Sequence, residues 1–274
     1  MKYLVEDNKI IIFSKNEFNP QHILECGQIF SYKKINDKYV VYSVDKKATI
    51  NVFEDRIEIE TNNIAYFTNF FDLNTDYSKL KCEIIQNYPF LKNAICFGYG
   101  IRILKQNPLE TIISFIISSN NNIKRIQKIL FALRENYGTN MGDYYAFPTL
   151  DQLENIKEDD YKKLGAGYRA KYLYNTVQQL KNIDLNNWCN FSTNELNNHL
   201  LELMGVGQKV ADCIMLFAFS KMDVFPVDTW IEKVFCTYFH EEHNRKIIRK
   251  NLLNEFGVYS GYVQQYLFYS QREN

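Results

Sequence analysis

The 274-residue chain carries no net charge, with 32 Lys+Arg against 32 Asp+Glu. That excludes a partner held by global electrostatic attraction, so any grip on a polyanion must be local. No apolar run reaches membrane-spanning length, which excludes a helical membrane protein. The opening residues MKYLVEDNKIIIF lack the apolar core of a secretory leader, and none is expected. The six cysteines, Cys26, Cys82, Cys96, Cys189, Cys213 and Cys236, include no CxxC and no metal-ligand spacing. Reduced thiols inside a cell are expected from this. Internal repeats and low-complexity tracts are absent as well. What is plentiful is apolar: 46% of residues are hydrophobic and 15% aromatic. A core of that size suits two or three domains and excludes wholesale disorder.

The pattern along the chain predicts an α+β protein. Residues 1–62 read mainly as β: Tyr39–Val44 and Ala48–Phe53 are β-rich runs joined by Asp45-Lys46-Lys47, and Arg56–Glu60 alternates with period two. Short charged turns between them predict an antiparallel meander. From about Leu80 the periodicity is helical, with Pro108–Ser119 a buried helix, Ile123–Glu135 an amphipathic one and Tyr168–Ile183 another. The division expected is a small N-terminal sheet domain with helices over 1–100 and a two-lobed all-α region over 101–274. Lys124-Arg125-Lys128 and Arg245-Lys246-Arg249-Lys250 are small basic groups that an ordinary solvated helix face also explains.

The most informative stretch is Leu200–Val234, LLELMGVGQKVADCIMLFAFSKMDVFPVDTWIEKV. Ser192 and Glu195 have capping-box spacing and start a helix. Gly205 and Gly207, flanking Val206, end it in a tight reversal that glycine's freedom at positive φ permits. A second helical stripe follows through Val210, Ala211, Ile214, Met215 and Ala218. Exposed amides at such a hairpin suit a phosphate oxygen; GVG can equally join any two packed helices. Lys209 lies in the first turn of the second helix, where the dipole disfavours an ammonium and favours the neutral amine of Schiff-base chemistry. Cys213, four residues on, shares its face. Taken alone, Lys209 also reads as a solvated or phosphate-pairing lysine. Asp228, after Pro226-Val227, sits at an expected N-cap. It reads either as a cap only or as a carboxylate aimed at positive charge developing on a sugar ring. The hairpin, the lysine, the proline loop and the aspartate in this order are more specific than any one of them.

This arrangement resembles the helix-hairpin-helix plus Gly/Pro-Asp motif of the DNA glycosylase superfamily. The order of Cys26-Gly27-Gln28-Ile29-Phe30, Ser118-Ser119-Asn120-Asn121-Asn122-Ile123, Gly167-Tyr168-Arg169-Ala170, Gly205–Cys213 and Gly261–Phe268 is similar to that of the eukaryotic-type 8-oxoguanine DNA glycosylase/lyase branch. The four clustered cysteines that the endonuclease III branch carries after its aspartate are missing here.

The resemblance implies a base-excision repair enzyme acting on double-stranded DNA that contains 8-oxoguanine. It would work as a monomer, without a cofactor or a membrane. Lys209 would attack C1′ and Asp228 would stabilise the cationic transition state. Gly27, Cys213, Pro226, Gln264 and Phe268 would form the base pocket, the last two on a C-terminal helix over 259–270. The Gly27 carbonyl would bond the N7 hydrogen that only the oxidised base carries. Asn120 would fill the vacated stack, Arg125 and Arg169 would bond the estranged base, and Tyr168 would wedge beside it. Gly205, Val206 and Gly207 would hold phosphate, with a cation conceivable on the carbonyls of Leu201, Leu203 and Val206. Trp230 departs from the family's usual histidine. A glycosylase/lyase for oxidised pyrimidines and a non-catalytic helix-hairpin-helix module are the alternatives. The expected place is the cytoplasm, at a bacterial nucleoid, or the nucleus in a eukaryote; the Asn/Lys/Ile/Tyr-rich usage favours a bacterium.

Overall fold

A computed structural model describes residues 1–273. Six strands, β1 (Tyr3–Glu6), β2 (Lys9–Ile12), β3 (Tyr32–Ile35), β4 (Lys38–Ser43), β5 (Lys46–Val52) and β6 (Ile57–Glu60), form one antiparallel sheet in the order β1-β2-β6-β5-β4-β3. The expected meander is β3 to β6; the β1–β2 hairpin extends it on the far side. Register puts Ile10 beside Ile59, Ile59 beside Ile50 and Ile50 beside Tyr39. This buried row shares a core with Phe67, Phe70 and Phe71. Period-two alternation sends Glu58 elsewhere, where Lys9 and Arg56 pair with it at 3.0 and 2.7 Å. Lys33 and Lys34 on edge strand β3 discourage pairing with another chain.

The β4–β5 turn falls one residue before the expected one. Lys46 and Lys47 belong to β5, and Val44 turns with φ +54°. A β-branched residue is strained there, yet Val44 is held on both sides. Its N–H donates to Glu110 Oε2 at 2.8 Å, and its carbonyl accepts from Phe147 N at 2.7 Å and Arg134 Nη1 at 3.1 Å. Glu110 and Arg134 form a buried ion pair and tie the sheet to the helices.

The helices match the predicted ones to within a few residues: Pro108–Ser118, Ile123–Tyr137, Arg169–Leu180, and Thr193–Glu202 with its Ser192–Glu195 capping box. Three apolar clusters organise the described residues. One underlies the sheet. The largest runs from Ile103 to Val224 with Phe30 added. The third joins Ile84–Ile101 to Phe225–Tyr269, so helices that precede residue 100 pack with the C-terminal ones. No described helix is long and apolar enough to cross a membrane.

Candidate active site

A cleft of about 980 Å³ opens between the largest cluster and the C-terminal one, lined by Gly27, Phe115, Asn120, Lys209, Asp228, Trp230, Phe268 and Arg272 among others. Lys209 comes from the helix Gln208–Phe219. Its Nζ lies 5.6 Å from the Phe115 ring centroid, and that ring stacks on Phe217. The amine thus rests on an aromatic floor. Cys213, one turn along, is buried; burial pushes its thiol up to about 11, with Lys209 pulling the other way. Next to it, the fully buried Asp212 takes Arg249 as a fork, at 2.6 and 2.8 Å. Burial pushes the Asp212 carboxyl up, and Arg249 and Gln208 oppose it. Arg249 is therefore not part of a solvated basic face.

Asp228 caps the helix Thr229–Tyr238 as expected: Oδ1 accepts from Trp230 N and Ile231 N, each at 3.0 Å. Both cap bonds fall on one oxygen, which leaves Oδ2 unengaged among the described residues. Trp230 lines the cleft beside Asp228, with Lys233 Nζ 4.7 Å from its ring centroid.

The hairpin differs from the expectation in one respect. Only Gly205 has positive φ, +87°, and a Cβ there would lie 2.7 Å from Tyr172. Gly207 is extended and exposed, and it starts the Lys209 helix without a side-chain cap. The first-turn amides are therefore available to an anion. Gln179 and Thr176 brace the loop through Glu202 O and Met204 O, at 2.8 and 2.7 Å. The Leu203 oxygen, one of three expected to meet a cation, accepts from Val206 N at 3.1 Å. No described cluster of three His, Cys, Asp or Glu side chains offers a metal site.

Gly27 has φ +82°, and a Cβ would lie 3.2 Å from the Phe268 ring. Cys213, Pro226 and Gln264, expected in the base pocket, are buried and do not line the cleft. The Gln264 amide is turned toward the Pro226 carbonyl at 3.5 Å, and its Oε1 is buried without a partner among the described residues. Asn120 is exposed at φ +49°, on the loop after the helix Pro108–Ser118. Arg125 is exposed and reaches Gly165 O at 3.1 Å. Tyr168 is 56% exposed and stands over Arg169. Arg169 is only 3% exposed, and its guanidinium grips Ser119 O and Asn120 O at 2.7 Å. It holds the Asn120 loop and is not free in the cleft. Sequence reasoning missed Phe30, Phe115, Arg245 and Arg272 as cleft residues. For Arg272 a signal existed, since Gln264, Phe268 and Arg272 continue one i,i+4 row.

The chain matches the HhH-GPD superfamily of base excision DNA repair proteins over residues 113–256, and 8-oxoguanine DNA glycosylase, N-terminal domain, over 10–112. The N-glycosylase/DNA lyase of Saccharomyces cerevisiae is 32% identical over 94% of this chain and 84% of its own length. The N-glycosylase/DNA lyase OGG1 of Arabidopsis thaliana is 35% identical over 63% of this chain and 52% of its own length. The Clostridium acetobutylicum 8-oxoguanine glycosylase/lyase, solved with DNA carrying cytosine opposite 8-oxoG, superposes with a TM-score of 0.93 at 36% identity, covering 100% of this chain and 98% of that one. The chain belongs to the 8-oxoguanine DNA glycosylase family of N-glycosylase/DNA lyases. It is a base-excision repair enzyme, and its sheet domain followed by helix-hairpin-helix lobes is that family's fold.

Proposed function

We propose that this chain removes 8-oxoguanine from duplex DNA and cleaves the resulting abasic site, with Lys209 as nucleophile and Asp228 as the catalytic carboxylate. The supporting observation is that Lys209 and Asp228 line one cleft together with Gly27 and Phe268. The Lys209 amine attacks C1′, and the glycosidic bond breaks with its electron pair leaving on the base. The amine loses its protons as the sugar ring opens to the imine. Loss of a C2′ proton then expels the 3′ phosphate by β-elimination. Asp228, with one oxygen tied into the cap, offers negative charge to the oxocarbenium-like sugar without reorganising.

In the base pocket, Phe268 packs over Gly27, so admission of a flat base between Cys213 and Phe268 requires that ring to move. The unpaired Gln264 Oε1 is a buried acceptor that a donor on the base edge would satisfy. The hairpin amides at Gly205 and Gly207 hold a backbone phosphate, the Val206 amide being taken by Leu203 O. Asn120 enters the vacated stack and Tyr168 supports it, while Arg125 reads the estranged base. Arg169 serves by positioning the Asn120 loop. The enzyme is read as a monomer, acting on the bacterial nucleoid or in a nucleus. Borohydride trapping on 8-oxoguanine duplex tests the assignment. The wild type cross-links and Lys209→Gln does not, while it still binds the damaged duplex. Undiminished trapping by the variant refutes Lys209 as the nucleophile.

A further inference from the structure

The main-chain oxygens around Gly27 are not equivalent. Arg272 donates to Glu25 O, Gln265 Nε2 to Cys26 O at 2.8 Å, and Gln106 Nε2 to Gln28 O at 2.7 Å. The Gly27 oxygen accepts no hydrogen bond from the described residues, and Gly27 lines the cleft. Three neighbouring acceptors are taken and one is left for a ligand.

Peptide planarity then sets where that oxygen points. In a trans peptide the C=O and N–H project to opposite sides. The Cys26 oxygen is drawn to Gln265, which turns the Gly27 N–H the other way. Beyond Gly27, Gln28 Nε2 donates to the Cys26 sulfur at 3.3 Å. The plane before Gly27 is thus held by Gln265 and the residue after it by its own buried side chain, and the φ of +82° at Gly27 lets the chain bend between them. The Gln28 side chain, fully buried, anchors the segment through Ile23 O at 2.9 Å, Arg102 O at 2.8 Å and Leu104 N at 2.8 Å. Gln265 is itself 2% exposed and comes from the helix that carries Phe268. One helix therefore supplies the aromatic face and the bond that aims the carbonyl.

We propose that Gln265 is a positioning residue for base discrimination: by holding the Cys26 carbonyl it fixes the direction of the Gly27 oxygen. That sets the preference for a purine bearing hydrogen on N7 over one presenting a lone pair there. The proposal rests on the reading of Gly27 given above. A carbonyl aimed at N7 attracts the oxidised base and repels guanine, so rotating it weakens both halves of the discrimination. Gln265 does so without touching the substrate.

Gln265→Met keeps the length and bulk and removes the donor. Three quantities are read on one preparation: cleavage of a preformed abasic duplex, single-turnover excision of 8-oxoguanine, and competition between 8-oxoguanine and guanine duplexes for binding. Abasic cleavage should stay within about threefold, excision should slow roughly 10- to 100-fold, and the binding preference should shrink about tenfold. Equal slowing of cleavage and excision with the preference intact overturns the proposal, and so does no change in any of the three. If Gln265→Met does not fold, Gln265→Glu keeps the shape, replaces the donor by an acceptor and meets the same criteria. A wild-type protein that cleaves abasic sites but leaves 8-oxoguanine in place refutes the base assignment and this proposal together. Wild-type excision with an unaltered preference in the variant refutes this proposal alone.

Discussion

Asp228→Asn separates a catalytic charge from a structural cap, because the structure shows what each would lose. Both cap bonds, from Trp230 N and Ile231 N, go to Oδ1 at 3.0 Å. An asparagine Oδ1 accepts the same two bonds, and Asn is as good an N-cap as Asp. What folding loses is the attraction of a negative charge for the helix N-terminus, about 0.3–1 kcal/mol. On the proposed mechanism catalysis loses more, because there the charge faces a cation that forms only in the transition state. Removing one preorganised electrostatic contact of that kind costs roughly 2–4 kcal/mol, or about 30- to 900-fold in rate. Single-turnover excision of 8-oxoguanine measures the second quantity, and thermal or urea unfolding the first. The expected result is a folded variant that binds damaged duplex and excises slowly. An excision rate within about threefold of wild type would leave Asp228 as a cap and nothing more. A variant whose unfolding free energy falls by several kcal/mol would show that the charge serves the fold.

Two further outcomes follow from the geometry. Gly27→Ala forces a side chain into positive φ, at about 1–2 kcal/mol, and puts a Cβ 3.2 Å from the Phe268 ring. Excision of 8-oxoguanine should fall well beyond any loss in abasic-site cleavage; equal losses would confine Gly27 to the turn. Burial raises the Cys26 and Cys213 thiols from 9.0 to about 11. The folded protein therefore holds these protons more tightly than the unfolded chain. The stability they contribute is complete below pH 9 and is lost as pH rises toward about 11. The fall in Tm across that window should be shallower in Cys213→Ala than in wild type, and identical slopes would refute the burial argument.

Much of the site was legible because its residues sit at points of chain geometry that local rules describe. The Ser192–Glu195 capping box, the reversal at Gly205 and the cap at Asp228 are local events. Sequence does not distinguish a glycine that bends the chain from one that exposes its amides, so Gly207 reads as a second positive-φ glycine where the structure extends it. Lys209's aromatic floor was not legible: Phe115 lies in a helix whose residues are nearly all buried, so periodicity says nothing of which one faces the cleft. The same limit hid Arg169, whose guanidinium is consumed by two carbonyls some 50 residues away in sequence. In the sheet, β-propensity put Val44 in a strand. Only the buried Glu110–Arg134 pair, a tertiary contact, shows why a valine turns the chain there.

The proposed nucleophile and carboxylate come from different cores. Lys209 rides on the helix Gln208–Phe219, whose apolar face belongs to the largest cluster, whereas Asp228 starts a helix that packs in the C-terminal one. Neither lobe alone holds Lys209 and Asp228 together, so their geometry depends on how the lobes meet. Asp212, one residue before Cys213, and Arg249, from the helix Arg245–Phe256, cross that boundary with a two-pronged bond. A buried ion pair contributes little net stability, because desolvation offsets the attraction. A fork–fork contact does fix direction as well as distance. Gln208 Nε2 also reaches Asp212 Oδ1, at 3.0 Å, from the residue just before Lys209. One network therefore runs from the C-terminal lobe to the residue beside the nucleophile. It ties the lysine helix to the lobe that carries Asp228, against the desolvation of Asp212.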